Sequence, residues 1–173
     1  MHEIIEILKY TIPSLVVFVA AFFIMKKFMD NEYRKVLIEL KKGNMKTILP
    51  IRLQAYERSA LFLERINMDN LIKRITQPKM TSKDLHVALI NAIRTEYEHN
   101  LSQQIYMSND AWDGIKKAKE ETLKIVHMSM AQIRNKGGAM DLATCIFKNM
   151  EELKNSPSQI AISIIKKEVK YLF

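Results

Sequence analysis

The sequence predicts an all-α protein, with one N-terminal transmembrane helix continuing into a cytoplasmic helical bundle of about five helices. Three observations carry this expectation. Four glycines and four prolines in 173 residues are too few for the turns of an all-β chain, while the good helix formers Leu, Ile, Met, Ala, Lys and Glu are abundant. Residues 10–25 form an unbroken apolar run, and beyond it apolar residues recur at three- and four-residue steps. The length allows an anchor plus one domain with a real core, so the expected division is an anchor at 1–28, a helical stalk and linker at 29–48, and an α-helical domain at 49–173.

Between Lys9 and Lys26 lies YTIPSLVVFVAAFFIM, sixteen residues without a charge. At 1.5 Å per residue such a helix covers about 24 Å of a hydrocarbon core about 30 Å thick, so the span needs its flanks. Ile4, Ile5, Ile7 and Leu8 extend the apolar surface, and Lys9, Lys26 and Lys27 are spaced to bring their ammonium groups to the membrane interface. Pro13 falls in the first turns of the span, where a missing N–H is tolerable. A cleavable signal sequence carries positive charge before its apolar core, whereas Glu3 and Glu6 precede this one and FIMKKFM follows, which reads as an uncleaved anchor. Lys26, Lys27, Arg34, Lys35, Lys41, Lys42 and Lys46 crowd the downstream side against Lys9 upstream. The positive-inside bias then puts the N-terminus outside and the rest of the chain in the cytoplasm, at a cytoplasmic (inner) membrane.

The stalk KKFMDNEYRKVLIELKKGN is expected to be helical up to a stop at Gly43-Asn44. Pro50 suits a first helical turn and should open a single helix through IRLQAYERSALFLERINMDNLIKRI, with Leu53, Tyr56, Ala60 and Leu63 on its packing face. The recurring pairs Glu57-Arg58 and Glu64-Arg65 then lie on its wet side. TQPKMTSKD breaks the chain, and Thr81 with Asp84 three residues on forms a capping pattern for the next helix. A further helix should run from about residue 108 to 135, burying Trp112, Ile115, Ala118, Thr122, Ile125, Val126 and Ile133, until NKGG ends it. A shorter helix at 139–154 follows, and Ser156-Pro157 starts the last one. There Ile160, Ala161, Ile164, Ile165, Val169 and Leu172 oppose Lys166, Lys167 and Lys170. Packing as the closing helix of the bundle is the plainer reading of that amphipathic pattern, ahead of lying on anionic lipid.

The stretch RTEYEHNLSQQIYMSND, residues 94–110, carries the chemistry worth weighing. Leu85, Leu89, Ala92, Ile93 and Tyr97 make an apolar stripe that continues into Glu96, Asn100, Gln103 and Gln104. Polar groups at core positions need partners, because an unpaired one costs about 1–3 kcal/mol. Arg52, on the apolar face of its helix, is the expected partner of Glu96, with Asn100, Gln103 and Gln104 completing a structural polar network. Glu96 and His99 have the Glu-x-x-His spacing of ferritin-like di-metal sites, but such a site needs a second copy and two more inward glutamates, and no second copy occurs. His86 and His127 read as edge or surface histidines, and Cys145 as a small buried hydrophobe without a disulfide partner. No catalytic residue, metal ligand or cofactor is assigned. A net charge of +8 raises nucleic acid as a partner, but the basic residues are interleaved with acids and lack exposed aromatics, which disfavours it.

The segments LPIRLQAYERSALFLERI and EYEHNLSQQIYMSNDAW resemble those of a family of small, uncharacterised single-span membrane proteins of the Bacteroidetes. That resemblance covers most of the chain, implies the anchor-plus-helices architecture and supplies no catalytic residue. The expected function is that of a membrane-anchored helical interaction or scaffold protein, an accessory subunit of or adaptor to a larger cytoplasmic-membrane assembly. Its partners are membrane lipid and protein, including further copies of itself through the stalk and the helix bearing Arg58 and Arg65. The alternatives are a metal-binding or catalytic bundle using Glu96 and His99, and a membrane-tethered nucleic-acid binder.

Overall fold

In the computed structural model every regular element is a helix, and among the described residues the sole β-type pairing is an antiparallel bridge between Thr81 and Gly138. The structure describes residues 2–133, 137–153 and 155–171, and of their side chains all but those of 2–8, 10 and 44. The chain divides into two units, Met1–Leu49 and Pro50–Phe173.

Helix α1, His2–Arg65, is 64 residues long and runs through both expected punctuation marks. The stop expected at Gly43-Asn44 does not occur. An interior glycine costs only about 1 kcal/mol relative to alanine, and helix formers flank it on both sides. Pro50 likewise opens no new helix. Its missing N–H leaves one carbonyl a turn earlier without its intrahelical donor, a cost of about 3 kcal/mol that continuous helix on both sides carries. Within the first unit every described side chain from Thr11 to Ile48 is exposed. By length and composition alone, α1 is long and apolar enough to cross a membrane. The side-chain reading of Ile4, Ile5, Ile7 and Leu8 lies outside the described residues.

The second unit opens with residues 50–65 of α1. A single helix through residue 75 is not what forms, because Asn67 leaves helical geometry at φ −58°, ψ 127°. Its side-chain oxygen accepts the Asp69 N–H at 3.1 Å. Asparagine is a strong N-cap for this reason, and α2, Met68–Ile75, starts there with Met68, Leu71 and Ile72 buried. Pro78 and Lys79 then make a turn closed by Met80 N–H donating to the Gln77 carbonyl at 3.3 Å, with Lys79 at φ 70°.

Helix α3, Ser82–Asn100, begins on the expected capping box. The Thr81 hydroxyl accepts from Asp84 N–H at 3.2 Å and Asp84 Oδ2 accepts from Thr81 N–H at 3.1 Å. The start of α5, Ala139–Glu151, repeats half of that device, with Asp141 Oδ2 accepting the Gly138 N–H at 2.8 Å. The bridge joins these two helix starts: Ser82 N–H donates to Gly137 O and Ala139 N–H to Met80 O, both at 3.1 Å. After α3 a short 3₁₀ helix, Leu101–Tyr106, leads to Ser108, which caps α4, Asn109–Gln132, by accepting from Ala111 N–H at 3.1 Å. Ser156 and Pro157 start α6, Pro157–Lys170, as their residue types dictate.

Helix α4 packs against α3, α5 and α6 and buries the stripe its sequence period predicts, from Trp112 through Ile115, Ala118, Thr122 and Ile125 to Val126. Around it Phe62, Leu63, Ile66, Leu85, Leu89, Ile93, Leu142 and Ile146 are fully buried. Each such side chain is worth about 1.5–3 kcal/mol against exposure. Tyr97 stacks on Trp112 at 5.7 Å between centroids, under the Lys119 ammonium at 4.4 Å from its ring. Several expected packing positions are less buried than their pattern implies: Leu53, Ala60, Ala92, Tyr97, Ile164 and Val169 are half-buried, as is Ile133 past the end of α4, and Ile160 is 50% exposed. Asn135, Lys136 and Leu172 lie outside the described residues.

Candidate functional site

Glu96 sits one turn before the end of α3 with its side chain only 16% exposed. Its partner is not Arg52. The Arg65 Nε, in the last turn of α1, donates to Glu96 Oε1 at 2.8 Å, and an Arg74 guanidinium nitrogen from the last turn of α2 lies 3.7 Å from the same oxygen. Arg74 also donates to the Arg65 carbonyl at 3.4 Å, where a cation is favoured by the negative end of the helix dipole. Arg52 precedes Arg65 by thirteen residues, which at 1.5 Å each puts it roughly 20 Å further up α1, out of reach.

The remaining members of the expected network also separate. Asn100 Nδ2 donates to the backbone carbonyl of Glu96 at 2.8 Å and leaves its carboxylate alone. Gln103 is buried and donates to Ser102 Oγ at 3.3 Å, while Gln104 is exposed. The Glu-x-x-His pair does share a cleft: Arg58, Leu61, Phe62, Arg65, Glu96, His99 and Asn100 line a cavity of about 270 Å³. Two arginines and a histidine face one carboxylate there, and Phe62 forms an apolar wall. Among the described residues no group of three or more His, Cys, Asp or Glu is placed to hold a metal ion.

Arg52 belongs to a second cluster that the sequence reading missed. Glu168 on α6 accepts from Ser108 N–H at 3.1 Å, from Ser108 Oγ at 2.6 Å and from the Tyr56 hydroxyl. Arg52 donates from Nε to the Tyr106 carbonyl and from its terminal nitrogen to Tyr56 Oη, both at 3.0 Å, and lies 3.6 Å from Glu168. Burial pushes the Glu168 carboxyl up, but the hydrogen bonds from Ser108 and Tyr56, with Arg52 behind them, outweigh it and hold the group below its ordinary value. Burial, and then the bond to Glu168, push the Tyr56 phenol up. The cluster ties α1, α6 and the start of α4 together. A signal for it exists in the sequence: Ala161, Ile165 and Glu168 follow at steps of four and three, so Glu168 continues the buried row that the run KKEVK disguises.

Two histidines 41 positions apart also meet. His86 Nε2 and His127 Nδ1 are 3.2 Å apart, their rings edge to face, and burial followed by the neighbouring imidazole lowers the pKa of His86. Cys145 is half-buried in a polar contact, donating to Gln132 Oε1 at 3.0 Å beside Asn149, which bonds Ser129 Oγ at 2.8 Å. It is not the plain hydrophobe its sequence context suggests. The membrane-interface assignments of Lys26 and Lys27 fall on exposed side chains of α1, as does that of Lys9.

No curated protein and no solved structure matches this chain. A family model described as a family of unknown function does match, over residues 2–172. With nearly its whole length covered, the chain belongs to that family, DUF7935.

Proposed function

We propose that the protein is a membrane-anchored helical interaction protein, an adaptor or accessory subunit of a larger assembly at the cytoplasmic membrane. One observation carries the reading: from Thr11 to Met25 every described side chain of α1 is open to the surroundings, in a run without a charged residue. Each large apolar side chain left in water forgoes about 1.5–3 kcal/mol, so moving this run into lipid stabilises it by tens of kcal/mol. The lysine and arginine excess that follows the run supports an orientation with residues 50–173 in the cytoplasm. The single-span character expected from the resemblance points the same way. Protein contact is the activity we favour for a domain that presents helix faces with open surface clefts between them, the arginine-lined one among these.

The test is fractionation of the full-length chain followed by thiol labelling. The protein should pellet with membranes and resist carbonate extraction. A Lys166→Cys variant in a Cys145→Ser background should react with an impermeant thiol reagent only after spheroplast lysis. Recovery in the supernatant without detergent overturns the anchor, and labelling of intact spheroplasts overturns the orientation. Co-purification from native membranes then identifies the partner.

A further inference from the structure

His86 on α3 and His127 on α4 face each other across the seam where these two helices pack. The stack of Tyr97 on Trp112 fixes the same seam about three turns further along α3. Leu85, Leu89 and Val126, close to the two histidines in sequence, are each 0% exposed, so neither backbone can shift far without disturbing the core. His86 is half-buried and His127 exposed. The pair therefore stands on rigid elements with one side open to solvent. Lys83 and Lys124, three residues before the two histidines, are both exposed, so solvent and salt screen their repulsion of a cation.

We infer that His86 and His127 form a two-histidine site for a divalent transition cation, zinc by its geometry, with water in the remaining positions on the open side. The facing atoms, His86 Nε2 and His127 Nδ1, are 3.2 Å apart. Zinc binds imidazole nitrogen at about 2.0–2.1 Å, and tetrahedral angles then set two such ligands about 3.3 Å apart, whereas a square-planar ion needs about 2.9 Å. The ring centroids are 5.1 Å apart with the planes at 69°. An in-line hydrogen bond between the same nitrogens would hold the centroids about 5.5 Å apart. The rings are thus bent from that line, as two ligands of one ion must be. Burial and the neighbouring imidazole lower the His86 pKa, which favours the neutral ring that a metal ligand requires. Without a cation one proton lies between the two nitrogens, carried by one ring and accepted by the other. On binding, that ring carries its proton on its other nitrogen instead, so both neutral imidazoles ligate and no proton is lost. The ligands are 41 positions apart and come from different helices, so the ion also clips α3 to α4 and stabilises the domain by mass action. Two protein ligands fall short of the closed set of a structural zinc site, which makes the ion exchangeable. This site is independent of the interaction role proposed above.

The experiment is zinc titration of the full-length chain in detergent, in a Cys145→Ser background, by competition with a chromophoric zinc indicator. The expected result is one zinc per chain, bound at least tenfold more weakly by His86→Gln and by His127→Gln and with unchanged affinity by His99→Gln. At free zinc a hundredfold above Kd the parent's Tm should rise by roughly 8–12 °C, a rise that both the His86 and the His127 variant lack. Binding that persists in those two variants, or that is lost in His99→Gln instead, overturns the proposal. So does a parent Kd above about 1 mM, where mass action gives no useful stabilisation at attainable zinc. Should either variant fail to fold, NMR of the parent decides alone. One equivalent of zinc should move the ring resonances of His86 and His127 together and leave those of His99 in place; movement of His99 alone, or of no histidine, overturns the site.

Discussion

Replacing Glu168 by alanine removes the acceptor for three donors at once: the Ser108 N–H, the Ser108 hydroxyl and the Tyr56 hydroxyl. Tyr56 is 2% exposed, so water replaces the carboxylate poorly there. An orphaned buried donor costs about 1–3 kcal/mol. The Glu168 side chain is itself 19% exposed, so the Ser108 donors recover part of their loss from solvent, and the total for Glu168→Ala comes to about 2–3 kcal/mol. For a domain of this size that lowers Tm by roughly 8–12 °C. The assay is urea or thermal unfolding of the full-length chain in detergent, read by the chain's single tryptophan, Trp112, which is 7% exposed. Glu168→Gln keeps one acceptor oxygen and should lose about half as much. A cycle with Tyr56→Phe should return a coupling of about 1 kcal/mol, since the two groups touch. The pH dependence follows from the lowered carboxyl pKa. The group's contribution is present above its ordinary value of 4.5 and is lost as pH falls through the lower folded value. The advantage of the parent over Glu168→Gln should therefore vanish on acidification and persist at neutral pH. A change within about 0.5 kcal/mol for Glu168→Ala, the size of an ordinary surface substitution, would refute the reasoning.

Four further outcomes are expected from the same assay or a simple companion. Ser59→Ala should be neutral or stabilise by up to about 1 kcal/mol, because the Ser59 hydroxyl is buried without a hydrogen-bond partner and alanine is the better helix former; a loss of that size contradicts it. Lys79→Gly should stabilise by up to about 1 kcal/mol, since φ 70° is strained for a residue with a Cβ, and a destabilised variant would place the turn elsewhere. Glu96→Gln should destabilise less than Glu96→Leu, as the amide still accepts from Arg65 while the leucine strands two guanidinium groups; the reverse order would remove Glu96 from that contact. The His86 imidazole should titrate below the ordinary 6.5 in an NMR titration, with its stabilising contribution complete above pH 6.5 and lost as pH falls through the depressed value. Replacing His127 by Gln should bring that midpoint partway back, and an unmoved midpoint would separate the two rings.

The parts of this fold that were legible in advance share one property: their cause is local. The buried stripe of α4 follows from a period of 3.6, and the starts of α3 and α6 follow from Thr81 with Asp84 and from Ser156 with Pro157. Errors cluster where one residue type serves two local roles. Pro50 is as acceptable at a helix start as it is tolerable inside a long helix, and the formers on both sides decide for the interior. Asn67 is unremarkable in an apolar period, yet its side chain takes a backbone N–H, so that α1 ends at Arg65 and a separate helix starts at Met68 where the apolar period predicts one helix through Ile75. The polar pairings failed for a different reason. Periodicity assigns Glu96 and Arg52 to inward faces, but it says nothing about which turn of one helix meets which turn of another. That choice is made by loop lengths and by the packing of the whole bundle.

The two carboxylates together show what such pairings contribute once formed. Glu168 engages Arg52 and Tyr56 near the beginning of the domain's share of α1, and Glu96 engages Arg65 at its end. A one-turn slip of α1, about 5.4 Å, already costs packing, because its buried row of Ala55, Tyr56, Ser59, Phe62 and Leu63 would exchange side chains of unequal size. The polar contacts do not accept it. A one-turn slip of α1 would separate Glu96 from Arg65 and withdraw Tyr56 from Glu168 in the same movement, leaving charged or donor groups half-buried and unpaired. The two clusters are roughly 20 Å apart along one rigid helix, so a slip that relieves one cannot spare the other. Their net worth to stability is modest, since desolvation offsets much of the attraction. Their effect is to add a polar penalty to any axial shift of α1, which holds Arg58 and Arg65 of α1 beside Glu96 and His99 of α3 in the cleft that these residues line.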